Sequence, residues 1–523
     1  MKQIKLFPLF LVLIAAAVCV LGFLRYEAFF HDDAYISLRY VHNFLDGHGL
    51  VWNPGERVEG YTNFLLVLFT TFLGRLGLDL VLATRVVGVL AFALLNLFIP
   101  FYLRRYHTRH HEDKYLWLIP IIFTLTAMPL IAWSLGGLET VLFTLLSTIG
   151  IWFFAESLEG NSHRAVIAGS ALGLAALARP EGVVFVMLAF AFGITLFWTR
   201  RVNGVKWLAY FLGSFLCLFL PFPIFGFCYY GEILPNTWYV KGDMNFEKVW
   251  RGLTYLGEYS VSLPWIIPIL ITLVLWMLFK KSFDRKMTYL GITVFLYLEY
   301  VKAVGGDHMP AFRFIAPIIP SAALLMYLCL RPLAAHRSQL VSALVTGAVT
   351  LLCVLQLVFP AEIVDRARMT DGAAFLGKIV GQYIESAWPK GSLIALNTAG
   401  STPYYAPNQR FIDMLGLNDK TIARRKDVPQ VAFYQWVPGH EKGDGQYVMS
   451  RQPDFIICGG ANGDGVKRLW FLTEYELARD PEFDKQYQIE GVVITVSSIP
   501  GYENYTDSKS GKLRFLFYRR IAK

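Results

Sequence analysis

Apolar runs long enough to cross a bilayer recur through residues 1–360, separated by short polar stretches. The first extends from Leu6 to Leu24 behind Lys2 and Lys5. It is longer than the core of a secretory leader, no small-x-small cleavage site follows, and Arg25–Phe30 are bulky, so it reads as a first spanning helix with a cytoplasmic N-terminus. Further apolar segments lie at 61–76, 81–103, 116–133, 138–155, 165–178, 182–198, 208–228, 262–279, 288–303, 312–330 and 338–360. Four basic clusters assign the sides: Arg104, Arg105, Arg109 and Lys114; Arg200, Arg201 and Lys206; Lys280, Lys281, Arg285 and Lys286; Arg331, His336 and Arg337. Positive residues favour cytoplasmic loops, which places 31–60, 134–137, 179–181, 229–261, 304–311 and everything after 361 on the other side. Counting both 61–76 and 81–103 as full spans would reverse the Arg104 cluster. Parity returns if 61–76 enters only partway, leaving about 11 full spans, or if one more span brings the total to about 13.

Beyond residue 361 the pattern changes and charges return to ordinary density. Ser392–Leu396, Asp454–Cys458, Val492–Ser497 and Leu513–Tyr518 read as short strands, and 371–386 and 467–479 as helices. The expected architecture is a polytopic α-helical membrane body over 1–360, followed by a small extracytoplasmic α/β or α+β domain over 361–523.

Composition agrees. Of 523 residues, 55% are hydrophobic and only 17% charged, with a mean hydropathy of +0.45, which suits lipid rather than water as solvent. The net charge of +9 sits in topology-setting clusters between apolar runs, so it argues against nucleic acid as a partner. Five of the six cysteines lie in or beside apolar runs and only Cys458 lies in the tail, so no disulfide framework or cysteine metal site is built there. The sequence fixes no oligomeric state.

Polar chemistry concentrates on the outer face. The first outer loop opens with His31, Asp32 and Asp33, continues through Arg39 and Gly47–Arg57, and returns toward the membrane through Glu59, Gly60, Tyr61, Thr62 and Asn63. The same face carries Trp133–Glu139, Arg179-Pro180-Glu181-Gly182 and Gly305–Pro310 with Arg313. Each has a simpler local role open to it: an Asp as an N-cap, Glu139 as a helix-dipole partner, Arg179 and Glu181 as an ion pair at a helix break, His308 and Arg313 as interfacial anchors. Ionisable groups at membrane depth are costly unless they face protein or water, and one site explains all four groups better than four separate coincidences.

A carboxylate can serve as general base toward a hydroxyl, and arginines can hold a phosphate leaving group by bidentate, charge-assisted hydrogen bonds. Together they suit transfer of a group from a lipid phosphate to a hydroxyl acceptor, with the lipid tail remaining in the bilayer. No Gly-rich nucleotide loop stands at a strand-to-helix junction, so a soluble nucleotide donor is not indicated. A transporter or flippase of lipid-linked saccharides is the alternative, although its relay groups would sit near mid-bilayer in paired broken helices rather than at helix ends. A noncatalytic envelope scaffold is a third reading.

The acid pair in His31-Asp32-Asp33-Ala34-Tyr35 at the outer end of the first helix resembles the catalytic loop of GT-C glycosyltransferases, multispanning enzymes that use polyprenyl-phosphate sugars. The segments Asp32–Ser37, Gly49–Asn63, Gly136–Glu139, Arg179–Gly182 and Gly306–Pro310 with Arg313-Phe314 are similar to the AftB-type terminal arabinofuranosyltransferases, as are Asp413–Asp419 and Pro438-Gly439-His440 in the tail. This resemblance implies a plasma-membrane enzyme of bacteria. Its reaction would be inverting transfer of a pentofuranose such as arabinofuranose from a polyprenyl-phosphate donor to a hydroxyl of an envelope glycan or surface glycoconjugate. Carried onto this chain it makes Asp32 the base, with Asp33 the alternative or an orienting neighbour. Arg313 and Arg179, then His308 and Arg39, would bind the donor phosphate. Glu139, Glu181, Asp307, Glu59, Tyr61, Asn63 and His440 would line the cavity or meet the acceptor. Asp32, Asp33, Glu139 and Asp307 also offer hard oxygen ligands to a divalent cation, and the sequence leaves metal dependence open.

Overall fold

The computed structural model describes residues 2–107, 115–199, 206–241, 246–262, 284–335, 339–496 and 511–521. Among them, five helices are long and apolar enough to cross a membrane: Phe7–Arg25, Leu80–Arg104, Thr140–Ser157, Lys206–Tyr230 and Gln339–Val358. A sixth crossing is made if the bent pair Leu118–Leu125 and Met128–Leu135 is one span. The expected segments at 165–178 and 182–198 are present as the 17-residue helices Ser162–Ala178 and Gly182–Trp198. At 1.5 Å per residue each reaches about 25 Å, the short end of a crossing length. Phe64–Arg75 has 12 residues, about 18 Å, and falls short of a hydrocarbon core. Most of the expected span at 262–279 lies outside the described residues.

The expected apolar segment at 116–133 is present as a bent pair of helices. The chain bends by 43° between Leu125 and Met128. Pro129, in the first turn of the second helix, has no N–H to continue the ladder, and its ring would clash with the carbonyl four residues earlier in an unbroken helix.

The chain divides into two compact units. One comprises Met1–Ala28, Thr84–Pro221 and Met244–Arg368, and among its described residues the regular elements are all helices. Its helices approach closely where side chains are small: a Cβ on Gly169 would collide with the Phe211 carbonyl and the Ser214 hydroxyl, and one on Gly150 with Leu172. Most hydroxyls buried in Thr140–Ser157 bond back to the helix itself, Thr144 donating to the Thr140 carbonyl (2.8 Å) and Thr148 to that of Thr144 (2.7 Å), while the Thr140 hydroxyl has no partner among the described residues.

The other unit comprises Phe29–Ala83, Phe222–Asp243 and Met369–Lys523. Its sheet has the order β2-β1-β3-β5-β4, from β1 (Leu393–Leu396), β2 (Arg410–Asp413), β3 (Phe455–Ile457), β4 (Tyr487–Thr495) and β5 (Lys512–Arg520). Strands β2, β1 and β3 are parallel, with Ile394 opposite Phe411 on one side and Phe455 on the other. Strand β5 runs antiparallel to β3, and β4 closes the edge as its antiparallel partner. The core beneath includes Ile412, Met414, Val448, Ile456, Cys458 and Leu477.

The outer-loop residues of this unit are fastened to the sheet by named polar side chains. Asn53 behaves as a short extra strand beside β2, its amide donating to the Phe411 carbonyl (2.7 Å) and accepting from the Phe411 N–H (3.2 Å). Asn236 donates to the carbonyls of Gly416 (2.8 Å) and Leu417 (3.1 Å). Asp413 accepts from the Asn418 backbone and side chain (2.8 and 3.0 Å), while the Asn418 side-chain Oδ1 accepts from the Tyr40 hydroxyl (3.0 Å). The tail motif Asp413–Asp419 is therefore the seam by which tail and outer loop fold as one body.

Candidate active site

In the unit holding the outer loop, His31 starts the helix Asp32–Leu45, its Nδ1 accepting from the Asp33 N–H (3.2 Å). The two acids then part company. The Asp33 side chain is 44% exposed, whereas Asp32 is buried and its Oδ1 accepts the Ser401 N–H at 2.8 Å. Burial, and after it the carboxylate of Asp371, raise the Asp32 carboxyl to about 6, against hydrogen bonds from Ser401 that lower it. Asp371 is held at this place because it caps the helix Gly372–Ala387, accepting from Ala374 N–H (3.2 Å), and because its own N–H donates to the Phe30 carbonyl (3.0 Å). Gly400 completes the cradle: a Cβ there would lie 2.6 Å from the Asp32 carboxyl carbon.

Glu59 is a second perturbed acid of this unit. It is buried, burial raises its carboxyl to about 8, and its Oε1 has no hydrogen-bond partner among the described residues. At neutral pH it is mostly protonated and able to donate. Its neighbours Tyr61 and Asn63 are engaged locally, Tyr61 with the Tyr230 hydroxyl (3.1 Å) and Asn63 as acceptor from Ser37 (2.9 Å).

Arg39 has a different task from the phosphate binding expected of it. Its guanidinium is buried, donates to the carbonyls of Trp52 (2.7 Å), Gln409 (3.0 Å) and Pro403, and lies over the rings of Phe411 (4.9 Å) and Trp52 (5.4 Å). All three nitrogens are taken by backbone, so this arginine clamps the outer loop to the tail. The ring of His440 is stacked on Phe471 (5.7 Å) within the tail.

The helical unit gathers the other three motifs. Arg179, in an extended backbone conformation at the end of Ser162–Ala178, makes a two-pronged pair with Glu181 (2.7 and 3.2 Å) and donates from Nη1 to Glu139 (2.9 Å). Arg313 donates from Nε to Asp307 (2.8 Å). Burial opposes ionisation of Asp307, but Arg313 and then His308 and Arg179 hold its carboxyl below the usual range. Phe314 lies beneath both guanidiniums, 5.0 Å from Arg179 and 5.3 Å from Arg313. Trp133 lies 5.6 Å from Arg313 and donates its indole N–H to the Pro310 carbonyl (3.0 Å).

The two arginines differ in what they have left to offer. Every nitrogen of Arg179 faces a carboxylate, whereas among the described residues only Nε of Arg313 is hydrogen-bonded, leaving its two terminal nitrogens as an open fork there. Ala311 (φ 56°) and Phe312 (φ 47°) adopt left-handed backbone immediately before it, a strained conformation for residues with a Cβ that fixes where Arg313 emerges. Glu139 and Asp307 are thus each paired with a guanidinium. Among the described residues, no cluster of three or more His, Cys, Asp or Glu is arranged to hold a metal ion.

Sequence reasoning overlooks Asp371, Gly400 and Ser401. Asp371 before an apolar-periodic run is a legible N-cap, but nothing local signals that it faces Asp32, more than 300 residues earlier.

The fold is that of the GT-C membrane glycosyltransferases. The structure superposes on ArnT from Cupriavidus metallidurans in its undecaprenyl-phosphate-bound form with a TM-score of 0.54 at 12% identity, covering 97% of this chain and 98% of the other. The apo form gives 0.55 at 12% identity, covering 97% of each. In sequence, the chain is similar to the terminal β-(1→2)-arabinofuranosyltransferases of Mycobacterium tuberculosis (26% identity over 275 residues, 49% of this chain and 41% of the relative) and Corynebacterium glutamicum (26% over 339 residues, 55% and 46%). It thus spans about half the length of the curated relatives it matches. Residues 363–506 match a family described as a domain of unknown function, DUF8728.

Proposed function

We propose that the protein transfers a sugar, read as a pentofuranose such as arabinofuranose, from a polyprenyl-phosphate donor to a hydroxyl of an envelope glycan or surface glycoconjugate. The observation that carries this reading is the buried Asp32 carboxyl, raised to about 6 at the start of the first outer-loop helix. The GT-C fold and the likeness to arabinofuranosyltransferases support the donor class and the sugar. The protein would lie in a bacterial plasma membrane with its N-terminus cytoplasmic and residues 361–523 outside.

The chemistry asks two things of the chain. As the acceptor oxygen bonds to the anomeric carbon, its proton must leave; Asp32 Oδ takes it, since a carboxyl near 6 is ionised at neutral pH and more basic than an ordinary aspartate. As the bond from the anomeric carbon to the phosphate oxygen breaks, its electron pair stays on the phosphate, and the open fork of Arg313 offers two N–H donors to that charge. Arg179 then holds Glu139 and Glu181 in place, the leaving phosphate needs no protonation, and direct displacement inverts the anomeric configuration.

The test is purified protein given radiolabelled polyprenyl-phosphate sugars and an acceptor extract. Label passing to the acceptor supports the reading, and repeating it across donors names the sugar. Movement of the lipid-linked sugar across vesicles without transfer would make the protein a carrier, and neither outcome would leave a scaffold.

A further inference from the structure

Residues 431–471 of the tail, His440 among them, build an aromatic shelf to which the proton and phosphate steps assign no part. Phe433 and Trp436 are open to solvent, 59% and 46% exposed. Tyr434 stacks on Trp470 (5.3 Å between centroids, 29°) and on Phe471 (5.3 Å, 28°), and Phe433 meets Trp470 edge-on (5.4 Å, 76°). His440 extends the stack behind Phe471.

The shelf is held in place from beneath. Tyr434 N–H donates to the Trp470 carbonyl (2.9 Å). Buried Gln435 accepts from the N–H groups of Val431 and Ala432 (both 2.7 Å) and donates to the Pro429 carbonyl (2.8 Å). Glu474, also buried, accepts from the N–H groups of Trp470 (3.1 Å) and Phe471 (3.3 Å) and from Asn397 (2.8 Å). Leu469, immediately before Trp470, adopts left-handed backbone at φ 53°, strain that persists only where surrounding contacts over-determine it. Of the stacked rings Phe433 is exposed, Tyr434 and Trp470 are half-buried and Phe471 is buried; preorganised aromatic rings partly open to water suit recognition.

The rim says what the surface recognises. Asp464 accepts the Trp470 indole N–H (3.3 Å) and pairs with Arg468 (3.0 Å), whose side chain is 65% exposed. An aromatic face takes the C–H face of a sugar ring, because its negative π-cloud meets partly positive hydrogens, while a carboxylate and a guanidinium at its edge exchange hydrogen bonds with hydroxyls. A lipid surface fits poorly, since the Asp464 carboxylate would be carried toward hydrocarbon with it.

We propose that this shelf binds non-reacting sugar residues of a glycan, holding the acceptor chain while its end is extended. The role of the glycan as acceptor rests on the transferase reading; the binding itself does not. The test uses the full chain in lipid nanodiscs, titrated calorimetrically without donor with arabinan, galactan and lipopolysaccharide-core hexasaccharides. At least one is expected to bind, with affinity falling about tenfold in Trp470→Ala and several-fold in Phe433→Ala, the scale of a central aromatic contact. Thermal unfolding of both variants should match wild type, and KM for the bound hexasaccharide should rise by the same factor while transfer to a single-sugar octyl glycoside is unchanged. Failure of wild type to bind any of the three, or equal binding by folded Trp470→Ala, would overturn the proposal. So would Trp470 fluorescence quenched by headgroup-labelled lipid, with glycan binding unaffected by its replacement. A wild type that binds a hexasaccharide but transfers nothing would sink the transferase reading alone.

Discussion

Lowering the pH should switch the proposed transfer off at a point set by the environment of Asp32. With its carboxyl at about 6, about 90% of the protein carries the ionised base at pH 7 and about 10% at pH 5, so kcat/KM should fall about tenfold over that interval. An aspartate at its ordinary value near 3.9 would lose less than about a tenth of its activity over the same range. Unfolding does not mimic this. A carboxyl raised in the folded state contributes stability that is fully present below its unfolded value of about 3.9 and lost as pH rises through about 6, so acidification from 7 to 5 favours the fold at this residue. Asp32→Asn should remain folded, keep donor binding and lose a factor of about 10² to 10⁴ in transfer, the scale of general-base assistance. Exposed Asp33, replaced by Asn, should cost less. The assay is pre-steady-state transfer from pH 4.5 to 8 on all three proteins, with donor titrations alongside. A rate flat to pH 5, or near-normal transfer by Asp32→Asn with collapse of Asp33→Asn, would refute the assignment.

Asp371→Asn keeps an oxygen to cap its helix but removes the charge that raises Asp32, so the acid limb of the pH–rate profile should move to lower pH with Tm little changed. Arg313→Lys keeps the charge and loses the fork; turnover should drop by about tenfold or more, and wild-type donor affinity and turnover in a folded variant would remove Arg313 from the phosphate role. Arg39→Met leaves three buried carbonyls without their donor and should lower stability by about 3 kcal/mol in thermal or denaturant unfolding, an effect absent if Arg39 serves the donor alone. A cysteine introduced at position 440 should react with an impermeant reagent from outside while one at position 104 is spared; the reverse would invert the topology.

The membrane body was legible because hydrocarbon imposes long apolar runs, and its polar motifs because ionisable residues at helix ends stand out against them. The gathering of Trp133, Glu139, Arg179, Glu181 and Asp307–Phe314 follows from that same signal. Arg39 reads in sequence as a cation of the outer face, while the carbonyls it holds, at Pro403 and Gln409, lie more than 360 positions away. Strand β2 escapes because Arg410–Asp413 is four residues long and takes its identity from pairing with β1. The bend between Leu125 and Met128 is hidden in an unbroken apolar run, with Pro129 its only mark. The acid pair is visible in sequence, but what separates its members is tertiary: Ser401, Gly400 and Asp371 close around Asp32 and leave Asp33 in solvent.

The most direct measurement is the anomeric configuration of the product formed by wild-type protein from a defined polyprenyl-phosphate sugar, run beside Asp32→Asn. The account predicts a single product of inverted configuration, no covalent sugar–protein species, and loss of that product in the variant despite retained donor binding. Retention of configuration, a trapped glycosyl-enzyme, or undiminished product from Asp32→Asn would contradict it.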